Sequence, residues 1–100
     1  DERLKENVST IENALDKVLK LRGVFYNKKD DNSKTRQLGV IAQEVQEVLP
    51  EVVTYAYDID EYGVSYGNFA GLFIQAIKEQ NLIIEKQANE IETLKQLILK

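Results

Sequence analysis

Apolar residues recur along the last third of the chain at a strict seven-residue interval: Ile77, Ile84, Ile91 and Ile98. From Asn68 onward there is no Pro, and no Gly after Gly71. The pattern predicts one helix of about 30 residues, about 45 Å long at roughly 1.5 Å per residue. That exceeds an ordinary globular helix and points to a coiled coil. With the isoleucines at position a, position d holds Phe73, Gln80, Gln87 and Leu94. β-branched a residues with d residues that are not β-branched suit a parallel dimer, whereas Ile-rich seams shift toward trimers. Glu90 falls at g and Lys95 at the next e, so in a parallel coil they face each other on neighbouring chains. Ile83 and Leu97 also fall at g, widening the apolar stripe in a way that favours more than two helices. The competing expectation is a helix folded back on its own domain.

The upstream pattern is shorter in period. Ile11, Ala14, Leu15 and Val18 form one apolar stripe and predict a helix over 9–22. Ser9 is its expected N-cap, Glu12 stands at capping-box spacing, and Gly23 is its expected left-handed stop. Val24 to Lys28 and Leu38 to Ile41 read as strands around a polar loop, Lys28 to Lys34. Ala42 to Leu49 has the spacing of a short helix, with Val45, Val48 and Leu49 on one side and Pro50 limiting it. Val52 to Tyr57 and Tyr62 to Tyr66 are β-prone, and Asp58-Ile59-Asp60-Glu61 is the expected hairpin tip between them. The expected fold is α+β: a globular unit over 1–67, built as a meander of short strands around a helix, then a coiled-coil helix over 68–100.

Composition mainly excludes. The 100 residues carry 13 Lys+Arg and 17 Asp+Glu, with no His, Cys, Trp or Met. There is no Cys or His for a zinc site, a thiolate nucleophile or a Ser-His-Asp triad, and no metal or cofactor is expected. A net charge of −4 without a basic patch makes nucleic acid a poor partner. No apolar run approaches the ~18 residues of a membrane span. The start at Asp1 rather than Met leads to the expectation of a fragment.

Gly63-Val64-Ser65-Tyr66-Gly67 matches the nucleophile-elbow pattern, but with no His to activate Ser65 it reads as a strand end opening the helix. Asp58 to Gly63 begins like a calcium loop, yet Tyr62 and Phe69 stand where ligands are required. Tyr55, Tyr57, Tyr62 and Tyr66 read as cross-strand packing, with a gripping surface as the alternative. By local chemistry alone Lys5 is a surface lysine.

Asp1-Glu2-Arg3-Leu4-Lys5-Glu6-Asn7-Val8, Leu38 to Val45, Leu49 to Val53, Tyr62 to Tyr66 and Ala76 to Gln80 occur in this order. Together they resemble the C-terminal intramolecular chaperone domain of phage tailspikes, tail fibres and neck appendages. This is a serine-lysine self-cleaving family, with relatives in endosialidase tailspikes and in myelin regulatory factor. The family's opening reads Ser-Asp-x-Arg-Leu-Lys-x-Asn-Ile/Val.

The resemblance implies a chaperone that acts in cis during assembly in the infected bacterium. It forms a homotrimer through the coil (Ile77, Ile84, Ile91, Leu94, Ile98) and guides an upstream, usually β-rich fibre segment of the same polypeptide. It then cuts itself off, so that the fibre enters the virion and the chaperone is released. Lys5 takes the general-base role and Asp1 follows the scissile bond. The nucleophilic serine would immediately precede Asp1, so this chain matches the released product. Some members carry an assisting His, which is absent here. Loops 28–36 and 57–62, including Asp58, Ile59, Asp60 and Glu61, are the candidate fibre contacts. A permanent, non-cleaving trimerisation tip and a monomeric binding domain are the alternative functions.

Overall fold

The computed structural model describes residues 1–100, arranged in an elongated body of 69 × 42 × 22 Å. A 3₁₀ turn at Glu2–Leu4 precedes α1 (Ala14–Leu19), β1 (Val24–Tyr26), β2 (Gln37–Gly39) and α2 (Ala42–Val48). A second 3₁₀ turn (Pro50–Val52) leads into β3 (Val53–Ala56) and β4 (Glu61–Val64), and a third (Tyr66–Asn68) into α3 (Phe69–Ile98). The α+β content and the long C-terminal helix agree with the sequence. No helix is long and apolar enough to cross a membrane.

The strands do not form the expected meander. They make two separate antiparallel hairpins, β1–β2 and β3–β4. The reason is α2: seven helical residues and the Pro50 turn intervene between β2 and β3, so neither hairpin continues the other. Phe25 pairs with Leu38 in the first hairpin, and Tyr55 with Tyr62 in the second. The second turns tightly: the Ile59 amide donates to the Ala56 carbonyl, and Asp60 takes the left-handed conformation (φ 52°) that short polar residues tolerate.

The first helix is also shorter than its stripe. It starts at Ala14, not after Ser9, and no Ser9–Glu12 capping box forms. Asn13 occupies the N-cap position in the left-handed region and makes no side-chain cap. The helix ends in 3₁₀-type bonds, Lys20 amide to Lys17 carbonyl and Leu21 amide to Val18 carbonyl, so Gly23 is not used as a left-handed stop.

The core is small: Ala14, Val45, Leu49, Val52, Phe69, Leu72 and Ala76. It joins α1, α2, the Pro50 turn and only the first two turns of α3. Val45 and Leu49 lie four residues apart and therefore share one face of α2's end. Phe69, Leu72 and Ala76 form the corresponding stripe on α3.

Candidate functional site

Three features carry the candidate chemistry: the N-terminal turn, the outer face of α3 and the hairpin tips.

At the N-terminus the Asp1 carboxylate accepts hydrogen bonds from the Arg3 amide (2.9 Å) and the Arg3 guanidinium Nε (3.0 Å), closing the turn. The Lys5 amide donates to the Glu2 carbonyl at 3.1 Å, and Lys5 itself leaves the turn in extended conformation (φ −118°, ψ 144°). A 3₁₀ turn rises only about 2 Å per residue, so it shortens the span between Asp1 and Lys5 relative to extended chain. The Lys5 side chain lies in solvent and makes no hydrogen bond or ion pair. A lysine becomes a base when burial or a nearby cation disfavours its charged form, and no element of the single chain covers Lys5.

Two contacts tie this segment to α3. Ile11 Cδ1 lies 3.6 Å from where a Cβ on Gly71 would stand. The Glu79 carboxylate accepts from the Ala14 amide at 2.7 Å and the Leu15 amide at 3.3 Å. α3 thus supplies the cap that α1 lacks locally, placing a negative charge against first-turn N–H groups that have no partner within the helix. Sequence reasoning missed Glu79 because its partners lie 65 and 64 residues away.

Along α3 the residues divide by face. Phe69, Leu72 and Ala76 are buried, while Phe73 and Ile77 on the adjacent face are 45% and 64% exposed. From Gln80 to Lys100 every residue is exposed, so the helix does not fold back on its own domain. Ile84, Ile91, Leu94 and Ile98 all line this uncovered stretch. Its polar flank is held by local pairs four residues apart, Asn81 to Glu85 and Gln96 to Glu92.

The candidate contact loops sit at the two hairpin tips. Asp31 organises the first, accepting from the Ser33 and Thr35 amides at 3.0 and 3.1 Å; the Ser33 hydroxyl is the main cause of a lowered Asp31 pKa. Asp58 to Asp60 form the second tip, and Glu61 starts the returning strand. Tyr55 packs edge-on against its cross-strand partner Tyr62 at 4.8 Å and against Tyr57, two residues along the same run, at 4.7 Å, while Tyr57 stays exposed. Ser65 gives its amide to the Val52 carbonyl and ends β4's path into α3.

The sequence profile of the family described as chaperone of endosialidase matches residues 1–54, more than half of the chain. The chain belongs to this family. The match takes in the N-terminal turn, α1, the first hairpin and α2. Relatives of this chaperone-family chain include the long tail fiber protein Gp37 of Enterobacteria phages K3 and T2, each 48% identical over 61 residues. Gp37 of Enterobacteria phage M1 is 36% identical over 88 residues, covering 81% of the chain, an extent that must include part of α3. The chain spans 5% and 4% of the K3 and T2 proteins and 35% of the M1 protein.

Proposed function

We propose that this chain is the intramolecular chaperone domain of a phage tail fibre, working as a parallel homotrimer and released by self-cleavage. The observation that carries the reading is α3: its apolar seam lies uncovered on a helix whose neighbouring face already packs its own domain. The family membership and the tail-fibre relatives support the fibre context. Residues 68–100 align three chains, and residues 1–67 present the two hairpin tips, including Asp58, Ile59, Asp60 and Glu61, to the upstream fibre segment. Assembly takes place in the infected bacterium, and the fibre goes on to the virion.

In the precursor, a serine encoded before Asp1 acts as nucleophile. Its hydroxyl oxygen attacks the carbonyl carbon bonded to the Asp1 nitrogen and forms an ester as that C–N bond breaks; Lys5 Nζ takes the hydroxyl proton and passes it to the departing Asp1 amine, and water then hydrolyses the ester to a carboxylate. Because Lys5 is uncovered in the single chain, its activation depends on neighbours that assembly brings. Cutting is thereby tied to trimer formation.

The test is a precursor with Ser before Asp1 and Lys5→Ala. Removing a general base costs about 10² to 10⁴ in rate. The expected product is an uncleaved, folded trimer of fibre plus chaperone on denaturing electrophoresis. Cleavage at wild-type speed removes Lys5 from the mechanism. The exposure of Lys5 equally favours a second reading, a permanent trimerisation tip that never cleaves. A denatured gene product of full encoded mass in mature particles decides for that second reading.

A further inference from the structure

Beside the α3 seam the surface opens into a cleft of about 360 Å³, walled mostly by apolar side chains (Val18, Leu21, Val40, Tyr66, Phe69 and Phe73) together with Gly23 and with Arg22, whose guanidinium is held by Glu44. Phe69 and Phe73 stack face to face at 5.6 Å and form its floor on the α3 side. Phe69 is buried in the chain's own core, but Phe73 is 45% exposed, so the cleft borders solvent along the seam. No side chain of the chain itself fills it. On the opposite flank of the same helix Ile74 is 53% exposed and belongs to no core cluster.

The heptad frame relates these two flanks. With Ile77 at a, Phe73 is d, Phe69 is g and Ile74 is e. In a parallel coil each g residue meets the e residue five positions on in the neighbouring chain. That rule, which matches Glu90 with Lys95, matches Phe69 with Ile74. The cleft lies on the g flank along Phe69 and Phe73, and the unpartnered isoleucine on the e flank, one residue past Phe73.

We infer that each cleft receives Ile74 from a second copy of this chain, so that assembly docks the globular heads as well as the helices. The inference rests on the parallel-trimer reading. Its content is separate, because a coil seam can close with the heads left apart. The docked Ile74 completes an apolar site that α1, β2's exit and α3 build only in part. It presses on α1, the element whose N-terminus Glu79 holds and from which the Lys5 segment extends. Head docking is therefore a direct route by which assembly reaches the N-terminal segment.

The experiment uses the full 100-residue chain with p-benzoyl-phenylalanine in place of Ile74, mixing isotope-labelled and unlabelled chains before irradiation. The expected result is inter-chain adducts to the peptides carrying Val18–Gly23 or Tyr66–Phe73. In parallel, Ile74→Glu is expected to lower the monomer–trimer association constant about 10³-fold, roughly tenfold for each of three equivalent clefts, while Ile74→Leu changes it by less than about threefold. Ile74 is exposed in the single chain, so Ile74→Glu still folds. A trimer by sedimentation whose adducts fall outside the cleft, with association unchanged in Ile74→Glu, overturns head docking and leaves the coil standing. A wild-type chain that sediments as a monomer at every concentration overturns both.

Discussion

The first eleven residues of α3 and the remaining nineteen are one continuous helix, and both carry apolar stripes, yet they are held in different ways. Phe69, Leu72 and Ala76 are buried against α1 and α2, and Glu79 closes the packed region by capping α1. Beyond it, Ile84, Ile91, Leu94 and Ile98 are all more than half exposed. An isolated helix of that length is marginal in water, and helices in proteins depend chiefly on packing of an apolar face. The first stretch is a part of the domain; the second is uncovered, and it is the surface the proposed trimer uses.

Breaking the outer stretch gives the largest effect. Ile84→Asp with Ile91→Asp puts ionised groups into a seam where they find no partner. The chain should sediment as a monomer. Circular dichroism should lose the helix signal of residues 80–98 and retain that of the packed segment. A persisting trimer contradicts the heptad assignment.

Breaking the inner stretch comes next. Leu72 is 1% exposed, and Leu72→Ala leaves a cavity that costs about 2–5 kcal/mol. In a domain with so small a core this should lower the thermal midpoint of the globular part by many degrees. The coil, which Leu72 does not touch, should still bring chains together in sedimentation.

Glu79→Ala probes the junction. It leaves the Ala14 and Leu15 amides without their acceptor and costs about 1–2 kcal/mol, the usual scale for losing a helix cap. Chemical denaturation should detect the loss with the trimer mass unchanged. No measurable change would mean that water replaces the carboxylate without cost.

What could be read in advance follows the range of the interactions. The long α3 helix, the α2 stripe with Val45 and Leu49, and the hairpin turn at Asp58–Asp60 were legible because period and turn chemistry are local. The start of α1 was not, since Ser9 and Glu12 offered a local cap and the chain uses Glu79, 65 residues from Ala14. The meander failed for a related reason: each strand was legible, but strand order depends on how α2 packs. Gly39 was read only as part of an apolar run. The structure shows why it is glycine, since a Cβ there would stand 2.8 Å from the Tyr66 hydroxyl and 3.1 Å from the Tyr26 ring. Lys5 reads by local chemistry as a surface lysine, and it is exposed in the single chain.

The smallest expected effect is electrostatic and belongs to the globular half alone. The Arg22 guanidinium hydrogen-bonds Glu44 at 2.7 and 3.1 Å, which is the main reason the Glu44 pKa lies below its usual value and the Arg22 pKa above. The Asp31 carboxyl is lowered by Ser33. Carboxylates depressed by folding add stability above their unfolded pKa, and that stability is lost as pH falls through the folded one. The midpoint should therefore hold steady from pH 7 to about 5 and decline below about 4. Arg22→Ala should flatten that decline slightly, because both partners are exposed and such pairs contribute little.

The most direct measurement is the mass of the wild-type 100-residue chain by sedimentation equilibrium over a range of concentrations. The account predicts a species of about 34.5 kDa, three times the 11.5 kDa of one chain. A mass that stays at 11.5 kDa throughout would contradict it.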